Sequence, residues 1–300
     1  MDDIDRLRDF NRIYTRELGL LGRSYLGSGL GVGEVRVLYE LAHGSPGTAR
    51  DLAARLAIDE GYVSRVLQGF ERRGWVARGV DASDARRRKV ALTPAGQAAM
   101  TPLEARSRGD LADRLDRLGA DRCAALIDGA DRMRLALAEP PWPVTLTDLA
   151  PGDAGWVIMR HGALYASDEG YDIGFEALVA GIVARFVETR DPARERAWIA
   201  RVGVVRLGCI FCVRETDDAA RLRLFLIEPL ARGQGLGRRM IEDCMAFARD
   251  RGYRRMVLWT HKSHLAACAL YEKYGWRVTG EAAATAFGAE VIDQHWECDL

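Results

Sequence analysis

The run Arg221-Leu222-Arg223-Leu224-Phe225-Leu226-Ile227-Glu228-Pro229, followed closely by Arg232-Gly233-Gln234-Gly235-Leu236-Gly237, decides the fold of the C-terminal half. Residues 221–227 predict a β-strand. Past the glycines, Met240, Ile241, Cys244, Phe247 and Ala248 fall at helical spacing and predict an amphipathic helix to about Arg251. A glycine-rich strand-to-helix turn aims backbone amides and the helix dipole at an anion. Its glycines let a ligand approach the backbone closely, because no Cβ intervenes. The turn is not a P-loop, since no Gly-Lys-Ser/Thr follows. It is not a Rossmann fingerprint either, because it falls late in the domain and lacks the third glycine.

Downstream, Met256-Val257-Leu258-Trp259-Thr260 predicts a strand, and Ala267-Cys268-Ala269-Leu270-Tyr271-Glu272-Lys273-Tyr274-Gly275-Trp276 predicts a helix with its stop. Upstream, Ile199–Val205 reads as a strand and residues 153–188 as helical. The Arg/Gln-x-x-Gly-x-Gly/Ala turn and the Ala-x-x-Leu-Tyr-x-Lys-x-Gly block together resemble the GNAT N-acetyltransferases, with Trp276 where that family has Phe. The resemblance spans about 221–281. It implies an α/β GNAT fold whose mixed sheet is splayed at the acetyl-CoA site. It also implies direct acyl transfer from acetyl-CoA to an amine, with no metal.

On that resemblance the coenzyme site comprises Leu226, Ile227, Arg232, Gly233, Gln234, Gly235, Leu236 and Gly237. His264 stands where the family often has Asn. Tyr271 falls on the general-acid position, and a phenol suits a departing thiolate; ring packing in the core is the other reading. Glu228 ends the strand beside the coenzyme turn, as either the general base or a strand-end surface carboxylate. His161, Tyr165, Glu169, Tyr171, Phe175 and Glu176 lie in the helical segment that walls the acceptor site in this fold. Cys209 and Cys212 read as buried small hydrophobes. His261 and His264 are joined by no Cys or carboxylate group in sequence, so no metal site is expected.

The chain divides at Glu139-Pro140-Pro141-Trp142-Pro143, where prolines remove amide donors and disfavour helix. This predicts a mostly helical domain at 1–140 and an α/β domain at 144–300. In the first, Asp2–Leu21 and Gly33–His43 read as helices. Thr48 and Asp51 have capping-box spacing for a helix ending near Ala57. Asp59 is an N-cap for a helix from Glu60 to about Arg73, and Gly74 is its stop. A strand from Trp75 to Arg78, four consecutive basic residues at 86–89 and a strand from Val90 to Leu92 complete a helix-turn-helix with a basic hairpin. Such a hairpin can set an arginine in the minor groove beside a helix in the major groove.

The stretches Gly61-Tyr62-Val63-Ser64-Arg65-Val66-Leu67, Glu71–Val76, Asp84-Ala85-Arg86 and Val90-Ala91-Leu92-Thr93-Pro94-Ala95-Gly96 resemble the MarR family of winged-helix regulators. The resemblance implies a homodimer built from the terminal helices and reading a palindromic operator in double-stranded DNA. It maps the wing-tip contact onto Arg86, oriented by Asp84. Base and phosphate contacts fall on Tyr62, Ser64, Arg65 and Gln68, and Arg87 and Arg88 are further candidates.

Composition agrees. The 300 residues carry 43 basic and 43 acidic side chains, but 62–90 holds eight basic against three acidic. Unbroken apolar runs such as Leu207–Val213 are far short of the roughly 20 residues of a membrane span. The acidic start, Met1-Asp2-Asp3, resembles no secretory leader, and six cysteines are too sparse for a disulfide scaffold, so a cytoplasmic protein is expected. The combined reading is a DNA-binding regulator that also acetylates a small amine. The alternative is a ligand-sensing transcription factor whose GNAT domain binds CoA or an amine with little or no turnover. Because the basic charge is concentrated in one block, Arg86→Ala should weaken operator binding by about 1–3 kcal/mol in an anisotropy titration, and Arg114→Ala far less. Equal losses would show diffuse attraction instead.

Overall fold

The computed structural model describes residues 1–22, 24–44, 47–80 and 88–300, with Val80 described by its backbone alone. Asp84, Arg86 and Arg87 therefore lie outside the described residues. Contacts divide the chain into two compact units, Met1–Cys123 and Ala124–Leu300.

In the first unit, α1 (Asp3–Glu17) buries no residue, and Ile4, Leu7 and Ile13 face solvent. Next come α2 (Val32–His43), α3 (Ala49–Leu56) and α4 (Glu60–Arg72). The Thr48 side chain accepts from the Asp51 amide while the Asp51 carboxylate accepts from the Thr48 amide at 2.8 Å, a reciprocal cap for α3. Ala57, left-handed at φ 52°, ends that helix. Asp59 then caps α4 by accepting from the Tyr62 amide at 2.8 Å. The pair is a helix-turn-helix. Val63, Val66, Leu67 and Phe70 of α4 are buried with Leu38 and Leu52, each such side chain contributing about 1.5–3 kcal/mol. The opposite face of α4 shows Arg65, Gln68 and Arg72 to solvent.

β1 (Val76–Val80) and β2 (Arg88–Leu92) pair antiparallel from Val76↔Leu92 to Val80↔Arg88, and Gly47 bridges Val90. This is the wing. α5 (Pro94–Leu118) begins under it, capped by Thr93. α6 (Ala120–Leu137) crosses the division between the units, and its Leu135 is buried in the core of the second.

The second unit is a seven-stranded sheet with helices on both faces. Its elements are β3 (Thr145–Asp148), α7 (Asp153–Glu169), α8 (Ile173–Thr189), β4 (Arg196–Val202), β5 (Val205–Arg214), β6 (Ala219–Ile227), α9 (Leu236–Asp250), β7 (Arg255–His261), α10 (Leu265–Lys273), β8 (Arg277–Ala286) and β9 (Ala289–Asp299). The order is β3-β4-β5-β6-β7-β9-β8, antiparallel except for β6–β7. The expected strand Ile199–Val205 is in fact the end of β4, a turn at Gly203 (φ 57°), and the first residue of β5. One face packs α9 through Met240, Ile241 and Cys244 onto Leu207, Ile210 and Leu222. The other packs α7 and α8 through Val157, Val179, Val183 and Phe186 onto Ile199, Cys209 and Phe211. The start of α7 is anchored by Asp153, fully buried. It accepts from Arg201 and Arg206 at 2.6 Å each and from the Ala150 amide at 2.8 Å. Burial works against its charge, but these bonds outweigh that and hold the carboxyl below its usual range.

Two irregularities in β6 shape everything nearby. Its parallel pairing with β7 stops at Arg221↔Val257, so the two strands splay from there on. Its pairing with β5 passes from Phe211↔Arg223 to Cys209↔Leu226, two residues of β6 (Leu224, Phe225) standing against one of β5. Leu224 sits at φ 49°, a conformation costing a non-glycine residue about 1–3 kcal/mol. Side chains change faces there: Ala220 and Leu222 belong to the α9 side, whereas Leu224 and Leu226 belong to the α7/α8 side.

Gly96 supplies a direct test of the winged-helix packing. A Cβ there would overlap the Trp75 carbonyl oxygen and come within 2.8 Å of Leu92 Cδ2. Backbone cannot give way as a flexible side chain would. Gly96→Ala should therefore destabilise the N-terminal unit by about 3 kcal/mol or more in urea unfolding. A loss within experimental error would contradict this packing.

Candidate functional site

The glycine turn leads into α9. Gly235, at φ 77°, is the N-cap, and no side chain caps the helix. The first amides of a helix have no partner within it, so they remain for a ligand. Gly233 takes φ 75°, and added Cβ atoms at Gly233 or Gly235 would meet only open space. These residues border a cavity of about 620 Å³. Leu226 and Ile227 of the splayed β6 edge, Ala231, Arg232, Leu236, Gly237 and Arg238 line it, with Ser263 to Ala267 at the start of α10 and Tyr165, Asp168 and Glu169 of α7. Arg232 is held over it by Asp168 at 3.1 Å and by the Ile227 carbonyl at 3.3 Å. The Gln234 side chain turns away to donate to the Leu230 carbonyl at 2.9 Å and does not line the cavity.

A second cavity of about 440 Å³ adjoins the first, because Tyr165, Phe225, Leu226's neighbour Leu224 and His264 bound this region and three of them, Tyr165, Phe225 and His264, line both. Its walls include His161 and Phe175, as the sequence suggested, and Tyr271 of α10. The Tyr271 ring is buried among Phe225, Trp276 and Trp296, and burial drives its phenol pKa strongly up, so it stays protonated.

Three candidate residues lie away from both cavities. Glu228 does not face either cavity: Arg160 of α7 grips both its carboxylate oxygens, at 2.5 and 2.7 Å. Tyr171 lines neither of the two cavities, since its buried hydroxyl pairs with Nδ1 of His261. Burial pushes that phenol up to about 12. Glu176 is taken up in helix packing, its carboxyl carbon so near Gly162 that a Cβ there would lie 3.0 Å from it. Glu169 lines the first cavity and not the second one. In the first unit, Arg65, Gln68 and Arg88 are exposed and Ser64 is half-buried. Tyr62 packs on α2, its hydroxyl close enough that a Cβ on Gly33 would meet it at 2.5 Å.

Sequence reading missed Arg221, Arg223, Phe225, Trp259, Thr260, His261, Phe287 and His295 of the second cavity. They come from β6, β7, the β8–β9 turn and β9, and only the splay gathers them. His161, His261 and His264 share one electrostatic state. The His161 Nδ1–H donates to the Val157 carbonyl at 2.8 Å, leaving Nε2 bare, and burial lowers its pKa to about 4. His264 hydrogen-bonds Thr260 at 3.0 Å and is lowered to about 4, with burial and His261 outweighing the pull of Glu169. Burial likewise lowers His261, against Asp293.

These shifts have a pH consequence. An unfolded histidine takes up a proton from about pH 6.5 downward, whereas these folded rings resist until about pH 4. Their contribution is therefore complete above pH 6.5 and is lost as pH falls toward 4. At pH 5 each ring costs about 2 kcal/mol. His161→Phe should flatten the fall in unfolding free energy between pH 7.5 and 5 by that amount. An unchanged slope would contradict a neutral buried ring.

Residues 28–87 match the MarR family, and residues 164–276 match the Acetyltransferase (GNAT) family. The chain is 35% identical over 103 residues to N-acetyltransferase 8B of Homo sapiens, covering 33% of this chain and 45% of that protein. It is 36% identical over 74 residues to the 5-NmdU N-acetyltransferase of Pseudomonas phage PaMx11, covering 24% and 51%. The chain thus spans about half or less of the length of these curated relatives. A solved GNAT family acetyltransferase from Elizabethkingia anophelis with acetyl-CoA bound aligns over 52% of this chain and 98% of that one, with 16% identity and a TM-score of 0.40. No described helix is long and apolar enough to cross a membrane. With both matches falling on the folds described above, the chain joins a MarR-family winged-helix domain to a domain of the GNAT acetyltransferase family.

Proposed function

We propose that the protein is a transcriptional regulator that binds duplex DNA and also transfers an acetyl group from acetyl-CoA to a small amine. The functional domains are taken as 1–140 and 144–300. The observation that carries the enzymatic reading is the pair of adjoining cavities, one at the uncapped start of α9 and one beyond it, meeting at Tyr165, Phe225 and His264. The residues fit the coenzyme: the amides of 233–237 and the α9 dipole suit a pyrophosphate, and the β6 edge at Leu226 and Ile227, parted from β7, suits an amide-bearing arm. Acetyl-CoA, when bound, supplies the activated acetyl group. Tyr271 holds a proton for the departing thiolate. No carboxylate lines the second cavity among the described residues, and the imidazoles of His161, His261 and His264 are neutral, so it receives the amine unprotonated.

In the first unit, the Arg65–Gln68–Arg72 face of α4 and the wing strand bearing Arg88 support entry into a major groove. The exposed apolar residues of α1 support a homodimer on a palindromic operator. A second reading is favoured by the loss of Glu228 to Arg160: the GNAT domain is then a sensor that binds CoA or an amine with little turnover and shifts DNA affinity. One variant separates the two. Tyr271→Phe keeps the packed ring and removes only the hydroxyl. In a thiol-release assay it should lower kcat by about a hundredfold while acetyl-CoA binding persists. Tight acetyl-CoA binding with no turnover by the unaltered protein on any amine would favour the sensor.

A further inference from the structure

We propose, building on the acetyltransferase reading, that the acceptor is an amine that also carries a carboxylate on an apolar body, and that Arg223 holds that carboxylate. The second cavity has an unbalanced charge. Arg221 and Arg223 line it, and no Asp or Glu does among the described residues. Arg221 is neutralised by a two-pronged pair with Glu215, one arm at 2.5 Å. Arg223 is different. It is half-buried, and its side chain makes no hydrogen bond or ion pair with any described residue. Burial, then the neighbouring charge of Arg221, press its pKa down, so its environment disfavours the cation.

A guanidinium kept partly out of water, with Glu215 taken up by Arg221 and no hydrogen-bonded partner of its own among the described residues, is costly unless an anion completes it. Its planar donors suit a carboxylate in two-pronged fashion. The bulge sets it there. Arg223 is the last β6 residue before the face change at Leu224, and it lies on the α7/α8 side where the cavity opens. The remaining wall is largely aromatic, with Phe175, Trp259 and Phe287, and the volume suits a small molecule and not a polypeptide. The nucleophile would lie at the other end, toward His264, where the two cavities join.

The test compares matched pairs at fixed acetyl-CoA: phenylalanine with phenethylamine, tryptophan with tryptamine, and 4-(aminomethyl)benzoate with benzylamine. At least one acid should exceed its carboxylate-free partner in kcat/KM by about tenfold to a hundredfold. Arg223→Gln should erase that preference while leaving acetyl-CoA binding intact, and Arg223→Lys should keep part of it. Calorimetric titration of the same compounds into protein without coenzyme, and with CoA, gives a readout independent of turnover. If no amine is acetylated yet the acids bind and Arg223→Gln abolishes their binding, the enzymatic reading fails and the carboxylate site stands. Neutral amines that react or bind as well as the acids, or a preference that survives Arg223→Gln, would overturn the proposal, as would no binding by any compound.

Discussion

The C-terminal unit depends on one backbone event, the extra residue in β6 at Leu224–Phe225 beside the point where β6 parts from β7. Everything chemical lies around it. Before the bulge, Arg221 and Arg223 point to the α7/α8 side, and after it Leu224 and Leu226 do. Past Arg221↔Val257 the sheet no longer closes, so backbone groups of β6 lose their β7 partners. Unpaired backbone polar groups away from water are costly, and the usual remedies are water or a ligand that pairs with them. A strained φ at Leu224 is retained because β5 pairing on both sides holds it, Phe211↔Arg223 below and Cys209↔Leu226 above.

The same opening sets the electrostatics. It admits a chamber walled by aromatic rings and by the neutral imidazoles of His161, His261 and His264, and no carboxylate among the described residues lines it. Glu228 belongs to Arg160, Glu215 to Arg221, and Asp153 to Arg201 and Arg206. Those pairs also tie β5, β6 and α7 together, so the rigidity of the frame and the charge of the chamber come from the same residues. Among the described residues lining the chamber, Arg223 is the cation left without a hydrogen-bonded partner.

Much of this was legible from sequence. The glycine turn, its flanking strand and helix, and the Ala267–Trp276 block occupy consecutive residues, and local periodicity reads consecutive residues well. The capping pairs Thr48–Asp51 and Asp59–Tyr62 are equally local, and α3 and α4 begin where those residues announce them. The turn at Gly203 was hidden because Ile199–Val205 has the composition of one strand, and Val204 does not declare a hairpin. The partner of Glu228 was hidden for a different reason. Arg160 lies on a helix far earlier in the chain, and only the packing of α7 against the end of β6 brings the two together. The second cavity is likewise a product of topology, assembled from segments that share no sequence signal.

On the proposed function, the splayed β6 edge and the start of α9 form the coenzyme site. Hydrogen exchange of the full chain with and without CoA tests it most directly. New protection is expected at the amides of 233–238, together with 226–227 and 264–267, with little change along β8. No added protection at 233–238 under saturating CoA would contradict it.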